Sequence, residues 1–198
     1  MSDQFVSIFR QSQEHPARGK FLSRVFGIFS EEIVRALTND IRSPYSDLGR
    51  PTLRQNNKEK GHTLDFTLKD KQTGKIFVAE MKCEIEYRNY KYLELINAQQ
   101  LKHHEKDAFH ALLSIAKYPC SYKTSVKTEE IKVDGAILIW GVATPEGRQA
   151  VKQEYGFSDV LTIAEIVSDL NGWKNEEFQG LIQSRKQWSC ELFDGLLR

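Results

Sequence analysis

The chain has no apolar run of about 18 residues, which is the length that a transmembrane helix needs. Its first 20 residues also lack the basic-then-apolar layout of a signal peptide. Cysteine is scarce: Cys83, Cys120 and Cys190 lie far apart and form no C-x-x-C pair, which argues against a zinc site and a disulfide framework. We therefore expect a cytoplasmic protein with no membrane partner, whose reduced thiols are most simply small buried residues.

An excess of either charge is also lacking. The 28 Lys and Arg against 27 Asp and Glu give a formal net charge of +1, which by itself argues nothing for nucleic acid. The distribution is uneven, because residues 42–132 carry 17 basic against 12 acidic side chains and residues 133–198 carry 6 against 10. A local basic excess suits a phosphate-binding surface. An uneven solvated surface is an equal alternative.

The segment from Thr63 to Lys82 organises the rest of the prediction, because its alternation indicates a β-hairpin. In the first strand, Leu64, Phe66 and Leu68 should share one face, with Asp65 on the other. In the second strand, Glu80 and Lys82 should share a face with Ile76 and Val78, opposite Phe77, Ala79 and Met81. Two neighbouring carboxylates, Asp65 and Glu80, form a hard-oxygen site that suits Mg²⁺ or Mn²⁺. The adjacent Lys82 can hold a water or offset negative charge.

The flanking segments predict helices and strands in alternation. Apolar residues every four positions from Phe21 to Leu37 predict a helix over about 19–39, with Glu32 inside the apolar stripe and Glu31 facing solvent. A long helix is predicted from about residue 90 to residue 118, ended by Pro119, with Gln100 and His104 in its apolar stripe.

The C-terminal half of the chain continues the alternation. Residues 121–132 are expected to form a polar loop, in which Lys123 and Lys127 either contact a nucleic-acid backbone or only aid solubility. Ala136–Trp140 indicates a buried strand. Thr144-Pro145-Glu146 is typical of a helix start. A last strand is expected at 158–162, followed by helices at 163–170, 176–183 and 189–197.

An acidic residue on one strand and E-x-K on the next form the motif of the PD-(D/E)XK nuclease superfamily, and Leu64-Asp65 with Glu80-Met81-Lys82 resembles it. The Pro of that motif is Leu64 here, at a position that varies widely in the group. The predicted order αβββαβ over about residues 19–162 resembles the same restriction-endonuclease-like fold. It is an α/β core with a mixed central sheet flanked by helices. On this reading residues 1–198 form a single domain, with a C-terminal helical extension over about 163–198.

The resemblance implies a set of site residues. Asp65 and Glu80 would bind Mg²⁺, which Mn²⁺ should replace, with the Met81 carbonyl and Glu32 as further ligands. Lys82 would be catalytic, and Gln100 would orient the attacking water or brace Lys82. One branch of the family has Gln-x-x-x-Tyr on this helix, whereas here His104 takes the place of Tyr. The alternatives are an ion pair between Glu32 and an arginine, and Gln100 and His104 as satisfied polar groups in a packed helix.

The implied activity is that of a Mg²⁺-dependent DNA endonuclease. The leading hypothesis is a restriction-type enzyme that forms a homodimer, and the next is a repair, recombination or mobile-element nuclease of the same fold. A non-catalytic nucleic-acid-binding module is a different class, and the intact Asp65, Glu80 and Lys82 argue against it. The third alternative is an unrelated α/β protein with a charged hairpin.

Overall fold

The computed structural model describes residues 5–8, 16–55, 60–82 and 93–197, in which helices and strands alternate. The helices are α1 (Pro16–Asn39), α2 (Asp107–Lys117), α3 (Pro145–Tyr155), α4 (Ile163–Gly172) and α5 (Glu176–Leu196), with short 3₁₀ helices at Ala98–His103 and Pro119–Ser121. The strands are β1 (Tyr45–Asp47), β2 (Pro51–Arg54), β3 (His62–Thr63), β4 (Phe66–Asp70), β5 (Ile76–Lys82), β6 (Glu94–Leu95), β7 (Lys123–Val126), β8 (Glu129–Ile131), β9 (Gly135–Trp140), β10 (Val142–Ala143) and β11 (Asp159–Thr162).

Five strands form the central sheet, in the order β1-β4-β5-β9-β11. The β1/β4 and β4/β5 pairs are antiparallel, whereas the β5/β9 and β9/β11 pairs are parallel. All six residues of β9 are buried, as expected for a parallel strand covered on both faces. The protein is therefore α/β with a mixed sheet flanked by helices, and the buried strand predicted at Ala136–Trp140 is confirmed.

Side-chain alternation along β5 divides the apolar interior into two clusters, one on each face of the sheet. Phe77 and Ala79 pack with residues of α1 and α4, including Ile33 and Ile163. Val78 packs on the other face with residues of α2, α3 and β9, including Phe109, Val151 and Leu138. The predicted faces of this strand are confirmed, and Glu80 and Lys82 follow the direction of Val78.

A second sheet was not predicted. It has the order β3-β2-β7-β8 with antiparallel pairs, and we call it the small sheet. The prediction of a polar loop at residues 121–132 was wrong, because β7 and β8 form a hairpin there. Lys127 turns this hairpin with a φ of 56°. β6 and β10 form a separate parallel pair.

The first strand of the predicted hairpin is interrupted at Leu64 and Asp65, which separate β3 from β4. Leu64 packs in the cluster beside α2, whereas Phe66 packs in the cluster beside α1. The expectation that Leu64 and Phe66 share a face was therefore wrong. The chain leaves the small sheet and enters the central sheet at Asp65, so the alternation restarts there.

The prediction of one long helix from about residue 90 to residue 118 was also wrong for its first half. Residues 83–92 lie outside the described residues, and α2 begins only at Asp107. Gln100 Oε1 accepts hydrogen bonds from Ile96 N at 2.6 Å and Asn97 N at 3.1 Å, and its Nε2 donates to Glu94 O at 2.9 Å. The Gln100 side chain thus forms hydrogen bonds with backbone groups that would pair with each other in a continuous helix.

The C-terminal elements differ in detail from the prediction. α4 contributes Ile163, Ile166 and Leu170 to the cluster beside α1, so the core continues past residue 162. The helices expected at 176–183 and 189–197 are one continuous helix, α5.

The thiols also differ from the prediction. Cys120 and Cys190 are exposed, which corrects their expected burial, and Cys83 lies outside the described residues. Across the described ranges, no helix has the length and apolar character needed to span a membrane.

Gly147 allows α3 to seat against β6, since a Cβ there would lie 2.1 Å from Leu95 O. We expect Gly147→Ala to lower the free energy of unfolding by about 1–3 kcal/mol, because backbone must move to relieve the clash. Gly180 in α5 has open space at its Cβ position, so Gly180→Ala should raise stability by about 0.5–1 kcal/mol. Urea unfolding of both variants measures the difference, and a neutral or stabilising Gly147→Ala would contradict the close packing.

Candidate active site

Asp65 lies where the chain passes from the small sheet to the central sheet. On the small-sheet side, Leu64 N donates to Pro51 O at 3.1 Å. On the other side, Asp65 Oδ2 accepts a hydrogen bond from Met81 N at 2.9 Å. The Asp65 carboxylate is therefore held beside the end of β5, where its side chain is 21% exposed.

Glu80 and Lys82 lie on the same face at the end of β5. Glu80 is 8% exposed, and its Oε1 accepts a hydrogen bond from Lys82 Nζ at 2.5 Å. Its Oε2 is buried and has no hydrogen-bond partner among the described residues. Burial raises the pKa of Glu80, Lys82 opposes this, and the nearby charge of Asp65 raises the pKa further. The structure thus brings Asp65, Glu80 and Lys82 together.

Arg50 belongs to the same site, although no sequence pattern placed it there. Its Nη2 lies 3.9 Å from Asp65 Oδ1, and 2.8 Å and 2.7 Å from the two carboxylate oxygens of Glu31. Glu31 raises the pKa of Arg50 most, and the charges of Asp65 and Glu80 add to this. The only sequence signal was a turn at Gly49-Arg50-Pro51, which does not indicate where the side chain points.

The two adjacent glutamates of α1 have different partners from those expected. Glu31, predicted to face solvent, binds Arg50 and also Arg35 at 3.0 Å. Glu32, the predicted metal ligand, forms an ion pair with Arg185 of α5. An ion pair with an arginine was the alternative that the sequence left open for Glu32. Glu31 is thus the α1 carboxylate connected to Asp65, through Arg50.

Gln100 and His104 also have partners of their own. The Gln100 amide is occupied by the backbone of residues 94–97, which matches the alternative of a satisfied polar group. The His104 ring centroid lies 4.5 Å from that of Phe109 and 6.0 Å from that of Trp140, the residue paired with Lys82 across β5 and β9. Burial lowers the pKa of His104 to about 3, aided by His103, Lys82 and Lys106, so the ring is neutral at pH 7.

The donor set is compatible with a hard divalent cation. The described residues contain no group of three or more His, Cys, Asp and Glu side chains that could hold a metal ion. Mg²⁺, however, is usually bound by one or two carboxylates, and water completes its shell. Asp65 and Glu80 supply two carboxylates, and the Met81 carbonyl, 3.4 Å from Lys82 Nζ, is a third oxygen nearby. The buried Glu80 Oε2, which lacks a described partner, is the oxygen that an added cation would satisfy.

Comparison with known proteins identifies no relative. No family model matches the chain, and no curated protein or solved structure matches it. The class that the structure defines is an α/β protein with a mixed sheet, at one end of which two carboxylates and a lysine converge.

Acidification should destabilise the protein through His104. Its pKa is about 6.5 in the unfolded chain and about 3 when folded. The unfolded state therefore binds the extra proton, and stability should fall as the pH drops below about 6.5. His104→Phe should weaken this dependence, whereas His110→Gln, at an exposed position, should keep it. Guanidinium unfolding at about pH 7.5 and pH 4.5 tests this, and an equal loss of stability in both variants would contradict it.

Proposed function

We propose that this protein is a Mg²⁺-dependent DNA endonuclease with a restriction-endonuclease-like core. The observation that carries the proposal is the convergence of Asp65, Glu80 and Lys82 at the end of β5, with one oxygen of Glu80 buried and without a described partner. The order of elements around the central sheet supports it, since α1, β1, β4, β5, α2 and β9 have the order αβββαβ, although the first strand is β1 and not the strand at residues 52–56 on which the expected order was based.

The proposed chemistry assigns a separate task to each side chain. Asp65, Glu80 and the Met81 carbonyl would hold Mg²⁺, which supplies a Lewis acid for the phosphate and lowers the pKa of a water. Lys82, already bound to Glu80, would offset the negative charge that develops on the reacting phosphate. Arg50 would hold the Asp65 carboxylate in place from the side of Glu31.

Removing any of the three central groups should strongly reduce the rate of cleavage. We expect Asp65→Asn, Glu80→Gln and Lys82→Ala each to lower the rate of plasmid cleavage in Mg²⁺ by about 10²-fold or more, as loss of a charge-stabilising group does. The matched controls Glu191→Gln and Lys69→Ala are exposed and lie outside the site, so they should cut like the wild type.

The assay compares supercoiled, linear, single-stranded and branched DNA, each with Mg²⁺ and with chelator. Cleavage by all three site variants at the wild-type rate would refute the assignment. A preference for branched over linear DNA would favour a repair or recombination nuclease over a restriction enzyme.

Metal binding gives a readout that does not depend on cleavage. Mg²⁺ or Mn²⁺ should raise the melting temperature of the wild type, because a ligand at 100 times its Kd stabilises the folded state by about 2.7 kcal/mol. Glu80→Gln should lose this shift, and Glu191→Gln should retain it. An unchanged shift in Glu80→Gln would place the metal elsewhere. The absence of any shift in the wild type would favour a non-catalytic binding module.

Homodimerisation stays a prediction for this chain. Light scattering of the purified protein, with and without DNA, measures the oligomeric state directly. A monomer that cleaves both strands would remove the dimer from the proposal without affecting the chemistry.

A further inference from the structure

Three cations lie side by side on the outer face of the small sheet. Arg54 of β2 is paired directly with Lys123 of β7, and both are exposed. β7 and β8 pair Thr124 with Ile131, the last residue of β8, and continuing this register by one residue places Lys132 beside Lys123. Lys123 and Lys132 also line the same open cleft of about 500 Å³. Because neighbouring strands lie about 4.8 Å apart, the row spans about 10 Å.

The row is unfavourable for the fold by itself. Like charges directly opposite each other on antiparallel strands are destabilising. Within the described ranges, no carboxylate forms an ion pair with Arg54, Lys123 or Lys132. Glu130 lines the cleft too, but it is paired with Ser125 in the strand register and is one acid beside three bases. Among the residues that the structure describes, the outer face therefore carries an excess of positive charge without an ion-pair partner.

A second row connects these cations to the candidate active site. The hydroxyls of Thr63, Thr52 and Ser125 align across β3, β2 and β7, two residues from the cation row, and Glu130 ends this second row on β8. Arg50 lies two residues before Thr52, just ahead of β2, and its Nη2 is 3.9 Å from Asp65 Oδ1. At about 3.3 Å per residue, Arg54 is about 13 Å from Arg50. One helical turn of duplex DNA is about 34 Å long, so a single duplex can contact both the cation row and the residues around Arg50.

We propose that the outer face of the small sheet binds the phosphate backbone of a DNA duplex whose cleaved bond lies at the neighbouring candidate active site. The inference rests on the proposed function for its substrate. Arg54, Lys123 and Lys132 supply charge for the phosphates, and the hydroxyls of Thr52, Thr63 and Ser125 donate hydrogen bonds to phosphate oxygens. Because such contacts read no bases, this surface sets affinity and register but not the recognition sequence.

The test is the salt dependence of binding to a labelled DNA duplex, measured by fluorescence anisotropy in chelator so that no cleavage occurs. The triple variant Arg54→Gln, Lys123→Gln, Lys132→Gln removes the row. The control Lys20→Gln, Lys75→Gln, Lys186→Gln removes the same charge from exposed positions elsewhere. Each lost phosphate contact reduces the slope of log K against log salt by about 0.9, so the row variant should lose about 2.7. Between about 50 and 200 mM salt, the wild type should then lose about 40-fold more affinity than the row variant.

Stability provides an independent check that the variants fold. Since Arg54 and Lys123 oppose each other with like charge, Lys123→Glu should keep or raise the melting temperature while weakening DNA binding. A row variant with an unchanged salt slope, in a protein that cleaves DNA, would overturn this inference and leave the proposed function intact. A wild type that neither binds nor cleaves DNA would overturn the proposed function. The same anisotropy measurement with duplex RNA tests the partner. If the row variant loses affinity for duplex RNA but not for duplex DNA, the assignment of DNA as the partner is overturned.

Discussion

The burial of the Glu80 carboxylate at the end of β5 is the constraint on which the site depends. β5 is the middle strand of the central sheet, and the face that carries Glu80 is covered by α2 and α3, so water cannot solvate the charge freely. Lys82 compensates for one oxygen, because two residues along a strand return to the same face. Removing Lys82 alone would leave a buried charge unpaired, which is strongly destabilising. The same geometry leaves the second oxygen available for a cation.

Asp65 has a fixed position although it belongs to no strand. Leu64 is anchored in the cluster beside α2 and Phe66 in the cluster beside α1, so the residue between them has little freedom. The bond from Met81 N to Asp65 Oδ2 then ties the carboxylate to β5. A side chain held by two sheets is more rigid than one on a loop, which suits a group that must keep its geometry during a reaction.

The parts of the structure that could be predicted are those fixed by local signals. The faces of β5, the buried β9 and the helix start at Thr144 follow from alternation, apolar content and capping, which act over a few residues. The stretch before α2 was missed because the Gln100 side chain pairs with nearby backbone in a way that periodicity does not show. Arg50 was missed because its partner Glu31 is 19 residues away, on a different element. β7 was missed because Lys123, Thr124 and Ser125 are all polar, so the burial of Thr124 between more exposed neighbours is not visible in the sequence.

The charged side chains of the candidate site are paired with one another, whereas within the described ranges the cations of the small sheet are not. Near Asp65, the three carboxylates Glu31, Asp65 and Glu80 are matched by Arg35, Arg50 and Lys82, so the site projects little net field towards a distant polyanion. The cations Arg54, Lys123 and Lys132 have no such partners among the described residues, and they face solvent. Because unpaired exposed charge produces the long-range field, the small sheet contributes more positive potential at a distance than the neutralised candidate site does. Part of the basic excess over residues 42–132 therefore lies beside the candidate site and not within it.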